Sequence, residues 1–92
     1  MDKLLELRAE LDRIDNQIVA LYEARMRVCA QVADYKIKNG KEVLDRSREE
    51  QKLQSVENKT TTEFNREAVR ELYELLMDQS RRLQKKIIME LE

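Results

Sequence analysis

The chain has 92 residues, enough for one small domain, and contains no proline, no histidine, one glycine and one cysteine. The lack of proline and the single glycine argue against an all-β sandwich or barrel, because such folds need frequent turn residues. One cysteine excludes an internal disulfide, and the lack of histidine excludes any mechanism that uses histidine as a base or a metal ligand. The 18 basic and 19 acidic residues nearly balance, which argues against a nucleic-acid binder or an anionic-membrane binder. No long apolar run or signal-peptide pattern occurs, so we expect a soluble, cytoplasmic, helical protein.

The first predicted element is a long helix over about residues 2–39. Apolar residues recur there at alternating steps of three and four, which is typical of a helix that packs against another helix. We call these residues the apolar seam: Leu4, Leu7, Leu11, Ile14, Ile18, Leu21, Val28, Val32 and Tyr35. Gly40 then supplies the residue that most easily takes a positive φ just past a helix end.

Two further helices are predicted after this glycine. The second covers about residues 46–58, with Asp45 as its N-cap. The third covers about residues 66–90, with Asn65 as its N-cap and Phe64 expected to pack onto Val69. The sequence therefore predicts a single all-α domain of residues 1–92, with helices in the order long, short, long.

The first helix is too long for the rest of its own chain to cover. About 38 residues span roughly 57 Å at 1.5 Å per residue, whereas a compact domain of this size has a diameter of roughly 30 Å. The uncovered part of the apolar seam predicts a symmetric homodimer. The alternative is a monomeric three-helix bundle whose first helix frays at its start.

Two cations on the first helix share one face. Arg25 follows Leu21 by four positions, where a guanidinium is costly without a fixed anionic partner. Lys36 lies eleven residues further, roughly 20° around the helix and 16 Å along it. Spacing alone leaves two alternatives open: the two side chains bind a ligand between them, or Arg25 forms an interhelical ion pair and Lys36 is solvated.

Other polar side chains extend this pattern, although each also fits a helix surface when taken alone. Ser80 and Gln84 form an i,i+4 pair on the third helix. The full candidate set is Arg8, Arg25, Lys36, Arg48, Glu49, Ser80 and Gln84. Together these residues would give a cationic site with several hydrogen-bond donors, one carboxylate and no nucleophile–base pair. Such a site suits a compact dianion whose reaction needs binding and electrostatic stabilisation without proton transfer.

These residues occur within an ordered set of short motifs along the chain. The motifs are Leu7-Arg8, Ile14-Asp15, Glu23-Ala24-Arg25, Lys36, Val43-Leu44-Asp45-Arg46-Ser47-Arg48-Glu49 and Ser80-Arg81-Arg82-Leu83-Gln84. In this order they resemble the all-helical (AroQ-type) chorismate mutases over about residues 4–84. The resemblance implies an intertwined homodimer that isomerises chorismate, a product of the shikimate pathway, to prephenate by a Claisen rearrangement, in phenylalanine and tyrosine biosynthesis. It implies neither a metal nor a cofactor.

The resemblance also implies which residues bind the two substrate carboxylates. Arg25 and the partner subunit's Arg8 would bind them, with Arg48 assisting electrostatically and Ser80 supporting the ring carboxylate. Geometry agrees with a shared site, because Arg8 and Arg25 are seventeen residues apart, roughly 25 Å along one helix. Two first helices packed antiparallel about residues 16–17 would bring Arg8 of one chain level with Arg25 of the other.

The remaining implied roles concern the ether oxygen and the ring hydroxyl of chorismate. Lys36 and Gln84 would donate hydrogen bonds to the ether oxygen of the breaking bond. Glu49 and the backbone at Asp45 would bind the hydroxyl. The resemblance assigns no role to Arg81 and Arg82, which add positive charge beside Ser80 and Gln84.

Two non-catalytic functions remain as alternatives to the mutase. One is a helical dimerisation module whose polar seam residues only set the register. The other is a catalytically silent domain that regulates a larger aromatic-pathway protein. Neither alternative predicts loss of chorismate in an absorbance assay, so that assay distinguishes them from the enzyme.

Overall fold

The computed structural model describes residues 2–91; Met1 and Glu92, the ends of the predicted 1–92 domain, lie outside the described residues. Helix α1 covers Lys3–Lys38, helix α2 covers Arg46–Asn58 and helix α3 covers Glu63–Leu91. Residues 2–91 contain no strand, so the predicted all-α fold with helices in the order long, short, long is confirmed. None of these helices has an apolar stretch long enough to cross a membrane.

Helix α1 ends in a turn that depends on the glycine after it. Gly40 has a φ of +64°, in the left-handed region that glycine adopts without a clash from Cβ. Its amide donates to the Ile37 carbonyl, and the Lys41 amide donates to the Lys36 carbonyl at 2.8 Å. This pair of bonds is the Schellman pattern, and it turns the chain back beside the end of α1. The predicted role of Gly40 is confirmed.

Side chains cap the starts of the two following helices. The Asp45 carboxylate accepts a hydrogen bond from the Arg48 amide at 3.0 Å, as the sequence predicts. Helix α3, in contrast, begins three residues before its predicted start. Its capping side chain is Thr62, whose hydroxyl accepts from the Asn65 amide at 3.1 Å.

The predicted N-cap at Asn65 is therefore wrong, since Asn65 lies inside the first turn of α3. Thr62 supplies the capping oxygen earlier in the chain, and it places Glu63 in the first turn, where a carboxylate interacts favourably with the helix dipole. The predicted packing of Phe64 onto Val69 is wrong as well, because Phe64 is 80% exposed.

Helix α3 is the element against which both other helices pack. Arg81 of α3 pairs with Glu49 near the start of α2, and Arg70 pairs with Glu57 near the end of α2, so α2 and α3 run antiparallel. Only four apolar side chains are buried among the described residues: Ala33, Leu53, Val56 and Met77. This small core lies between the second half of α1 and the other two helices.

The first half of α1 extends away from the rest of the chain. Every residue from 2 to 21 is exposed, and all nine residues of the apolar seam are at least 40% exposed. Tyr22 is the first α1 residue whose side chain bonds to another helix, through its hydroxyl to Gln79 Oε1 at 2.8 Å. The radius of gyration of 16.8 Å exceeds the roughly 12 Å of a compact domain of this length. One chain thus leaves its apolar seam uncovered.

Candidate active site

A cavity of about 200 Å³ lies where the second half of α1, the start of α2 and the second half of α3 meet. Seven of the eight site residues proposed from the sequence line it: Arg25, Lys36, Asp45, Arg48, Glu49, Ser80 and Gln84. The structure therefore brings together, within one chain, side chains that lie up to 59 positions apart in the sequence.

Five further residues line the cavity and were not proposed from the sequence: Val32, Val43, Lys52, Met77 and Arg81. Lys52 had a usable signal, because it lies four positions after Arg48 and so shares its helix face. Arg81 lies within the Ser80–Gln84 motif, but its place in the cavity depends on how α3 packs against α2, which the sequence does not give.

Positive charge exceeds negative charge in the cavity lining. Five cations line it, Arg25, Lys36, Arg48, Lys52 and Arg81, against the two carboxylates of Asp45 and Glu49. Of these cations, only Arg81 forms an ion pair with a carboxylate within residues 2–91. The unneutralised cations make the cavity attractive to an anion. The described residues contain no group of acidic or thiol side chains placed to hold a metal ion.

Arg25 is half-buried on α1 and forms no ion pair with any residue from 2 to 91. Its guanidinium carbon lies 5.8 Å from the centroid of the Tyr73 ring, and its Nη1 lies 3.8 Å from Cys29 Sγ. These contacts orient the guanidinium but do not neutralise its charge. The alternative of an interhelical ion pair is thus not seen within residues 2–91, and most of the five N–H donors of Arg25 remain available to a ligand.

Lys36 is half-buried as well, and the turn after α1 determines where its ammonium lies. Its Nζ donates to the Val43 carbonyl at 2.8 Å. Because an ammonium has three N–H donors, two remain after this bond. The contact fixes Lys36 at the cavity, in contrast to the alternative of a freely solvated side chain.

Ser80 and Gln84 are the buried polar residues of α3, with 8% and 5% of their surfaces exposed. Gln84 Nε2 donates to Ser80 Oγ at 3.1 Å, while Gln84 Oε1 is buried and has no hydrogen-bond partner in the described part of the chain. Such an unpaired acceptor costs about 1–3 kcal/mol. In this orientation the amide has a second N–H for the cavity. If the amide is turned by 180°, Ser80 donates to Oε1, and the amide nitrogen takes the position of the unpaired oxygen. Gln84 therefore has a donor available in both orientations.

Glu49 is the one cavity carboxylate that is paired with a cation among the described residues. Nη1 of Arg81 donates to both of its oxygens, and both side chains are 25% exposed. The hydrogen bond that Arg81 donates to Glu49 raises the pKa of Arg81 above its ordinary value, although burial acts in the opposite direction. Arg81 therefore carries its positive charge at neutral pH.

Arg8 is the one proposed site residue that the fold of a single chain does not bring to the cavity. It lies in the exposed first half of α1, roughly 25 Å along the helix from Arg25.

Residues 7–85 match the family model described as chorismate mutase type II. The chain is also 31% identical, over 86 residues, to the "Bifunctional chorismate mutase/prephenate dehydratase" of Buchnera aphidicola subsp. Schizaphis graminum (strain Sg). That alignment covers 92% of this chain but 22% of the relative, so the chain spans about a fifth of the length of that protein.

Proposed function

The chain belongs to the chorismate mutase type II family, and on this basis we propose that it catalyses the isomerisation of chorismate to prephenate in the cytoplasm, as a step of phenylalanine and tyrosine biosynthesis. The observation that carries the proposal is the cavity, where seven residues expected for this reaction lie together with an excess of positive charge. Chorismate is a dianion, and its rearrangement breaks one C–O bond while one C–C bond forms. Because no proton transfer is required, a site without histidine is sufficient.

The first task of the site is to bind the substrate in its compact, reactive conformer. The unpaired guanidinium of Arg25 matches a carboxylate with two parallel hydrogen bonds, and Arg48 adds positive charge nearby. The Ser80 hydroxyl proton remains free when Ser80 accepts from Gln84, so it is available to the ring carboxylate. Holding both carboxylates brings the two reacting carbons together and lowers the entropic part of the barrier.

The second task is to stabilise negative charge that develops on the ether oxygen as the C–O bond breaks. Lys36 offers its two remaining N–H groups, and the Gln84 amide offers one. Both donors are fixed before the reaction, so little reorganisation is needed as the charge develops. Glu49 and the Asp45 backbone are the proposed partners of the ring hydroxyl.

The proposed assembly is an intertwined homodimer in which the partner subunit's Arg8 completes each site. Three observations support it: the apolar seam is exposed, the first half of α1 has no cover within its chain, and Arg8 is roughly 25 Å from Arg25 along one helix. Two α1 helices packed antiparallel would bury both seams and bring the two arginines together.

Loss of chorismate absorbance, measured on the wild-type protein and on Arg25→Ala, tests the proposed reaction. Removing Arg25 from a partly desolvated site should cost about 3–5 kcal/mol of transition-state stabilisation, seen as a loss of at least a hundredfold in kcat/KM. Arg27→Ala is the matched control, because Arg27 lies on the same helix and does not line the cavity.

Two outcomes would contradict these assignments. An inactive, folded wild-type protein would favour a silent dimerisation or regulatory module. A loss below about tenfold for Arg25→Ala would make Arg25 a structural residue.

A further inference from the structure

Arg81 lines the cavity and bonds Glu49, yet none of the roles assigned above uses it. We propose that Arg81 is a positioning residue: it holds the Glu49 carboxylate at the cavity wall and neutralises its charge, so that Glu49 does not repel a dianionic substrate. This inference rests on the proposed function and adds to it a residue that acts through Glu49.

The geometry of the contact supports the positioning role. Arg81 Nη1 donates to both oxygens of Glu49, while its Nη2 lies 3.6 Å from Asp78 Oδ1 on the preceding turn of α3. The guanidinium is thereby held at two points, and it in turn fixes a carboxylate that belongs to α2. An ionised carboxylate has about four acceptor positions, so about two remain for a substrate hydroxyl.

The charges around Glu49 support the neutralising role. Helix α1 contributes two cations to the cavity, Arg25 and Lys36. Helix α2 and its N-cap contribute Asp45, Arg48 and Lys52. Helix α3 contributes Arg81, with Asp78 beside it. Within residues 2–91, Glu49 has no other ion-pair partner than Arg81. Without this partner, a bare carboxylate would face the two carboxylates of the substrate and repel them.

A second arginine provides a matched structural comparison. Arg70 also links α3 to α2, through Glu57 and Glu50, but none of these three residues lines the cavity. An effect that comes only from tying α2 to α3 should therefore appear equally when Arg70 or Arg81 is replaced. An effect on the substrate should appear for Arg81 alone.

The first test compares Arg81→Met and Arg81→Lys with Arg70→Met and with Arg82→Met. Arg82 is the adjacent, 64% exposed arginine of the same helix, and it lies outside this cavity. KM and kcat are measured by chorismate absorbance, and Tm by circular dichroism. We expect KM of Arg81→Met to rise about tenfold or more while kcat changes less than about threefold, because neutralisation favours bound substrate and transition state alike.

The control variants have distinct expected results. Arg81→Lys keeps the charge and should recover part of the lost affinity. Arg70→Met should lower Tm while leaving KM within about twofold of wild type, and Arg82→Met should leave KM unchanged. If Arg81→Met does not fold, Arg81→Gln removes the same charge and has the same expected KM.

A second test asks whether Arg81 acts through Glu49. In a Glu49→Gln background, Arg81→Met should change KM by less than about twofold, because the carboxylate that Arg81 positions and neutralises is already absent. If the two substitutions raise KM by independent factors that multiply in the double variant, the inference is wrong. It is also wrong if Arg81→Met has a normal KM, or if Arg70→Met raises KM as much as Arg81→Met does. These results would leave an active wild type, and with it the proposed function, intact, whereas an inactive wild type would remove both.

Discussion

At the scale of single residues, three arginines differ by their partners and not by their chemistry. Arg25 meets an aromatic ring and a thiol, Arg81 meets a carboxylate inside the cavity, and Arg70 meets carboxylates outside it. The sequence marks Arg25, because a cation that replaces an apolar residue in a periodic pattern is visible there. It gives no such mark for Arg81, because an ion pair between two helices depends on their packing.

Gln84→Glu should convert a site with little pH dependence into one that works only at low pH. An ionised carboxylate accepts hydrogen bonds but does not donate them, so it would oppose negative charge on the ether oxygen. The neutral acid donates. Activity should therefore be present below the pKa of the introduced carboxyl and be lost as the pH rises through it, with kcat lowered about a hundredfold or more at high pH.

The measurement is kcat/KM against pH for wild type, for Gln84→Glu and for the control Gln79→Glu, with circular dichroism to verify folding. Gln79 is on the same helix but bonds Tyr22 and does not line the cavity, so its variant should follow the wild-type profile. Burial raises the pKa of a carboxyl at position 84 and nearby cations such as Lys36 lower it, so the profile reports which effect dominates. A folded Gln84→Glu protein that is equally poor at every pH would exclude Gln84 as the donor.

At the scale of the helices, the sequence predicts best where a periodic pattern and a specialised residue agree. The apolar seam and Gly40 together mark α1 and its end, and Asp45 marks the start of α2. The start of α3 was predicted late because its apolar pattern begins only at Val69, whereas the first turn is set by one hydroxyl among three consecutive threonines. Apolar periodicity carries no information about which hydroxyl caps a helix.

Thr62→Ala should lower the free energy of unfolding by about 1 kcal/mol, because it removes the oxygen that accepts from the Asn65 amide. A loss of this size lowers Tm by about 4–8 °C in a domain of this length. Asn65→Ala is the matched control and should change stability by less than about 0.5 kcal/mol, since Asn65 contributes its backbone amide to this cap. Thermal unfolding is followed at one fixed protein concentration, because association shifts Tm. A larger loss for Asn65→Ala would reverse the assignment.

At the scale of the whole molecule, the length of α1 governs both stability and the site. Four buried apolar side chains are a small core, and the exposed first half of α1, residues 3–21, is marginal as an isolated helix in water. The same segment carries Arg8, which does not line the cavity of its own chain. Residue spacing and the family resemblance together predict the seven residues that line the cavity, whereas the side-chain contacts among them depend on how the helices pack. The length of α1 predicts a partner chain, and this stays a prediction.

A mixing experiment tests whether the sites are shared between chains. Arg8→Ala and Arg25→Ala homodimers should each be inactive, since every site lacks one arginine. In a mixed dimer, one site receives Arg25 from the first variant and Arg8 from the second, and the other site receives neither. Random exchange makes half of the dimers mixed, so activity should recover to about a quarter of the wild-type value.

The matched control mixes Arg25→Ala with Lys36→Ala, two residues that line the cavity of the same chain. Each site of that mixed dimer lacks one of the two side chains, so activity should stay at the level of the separate variants. Exchange is verified by mass spectrometry of subunits with different isotope labels. Recovery in the first mixture and not in the second can arise only if Arg8 acts across the interface while Arg25 and Lys36 act within one chain. Failure of the first mixture to recover, after complete exchange, would contradict the shared site.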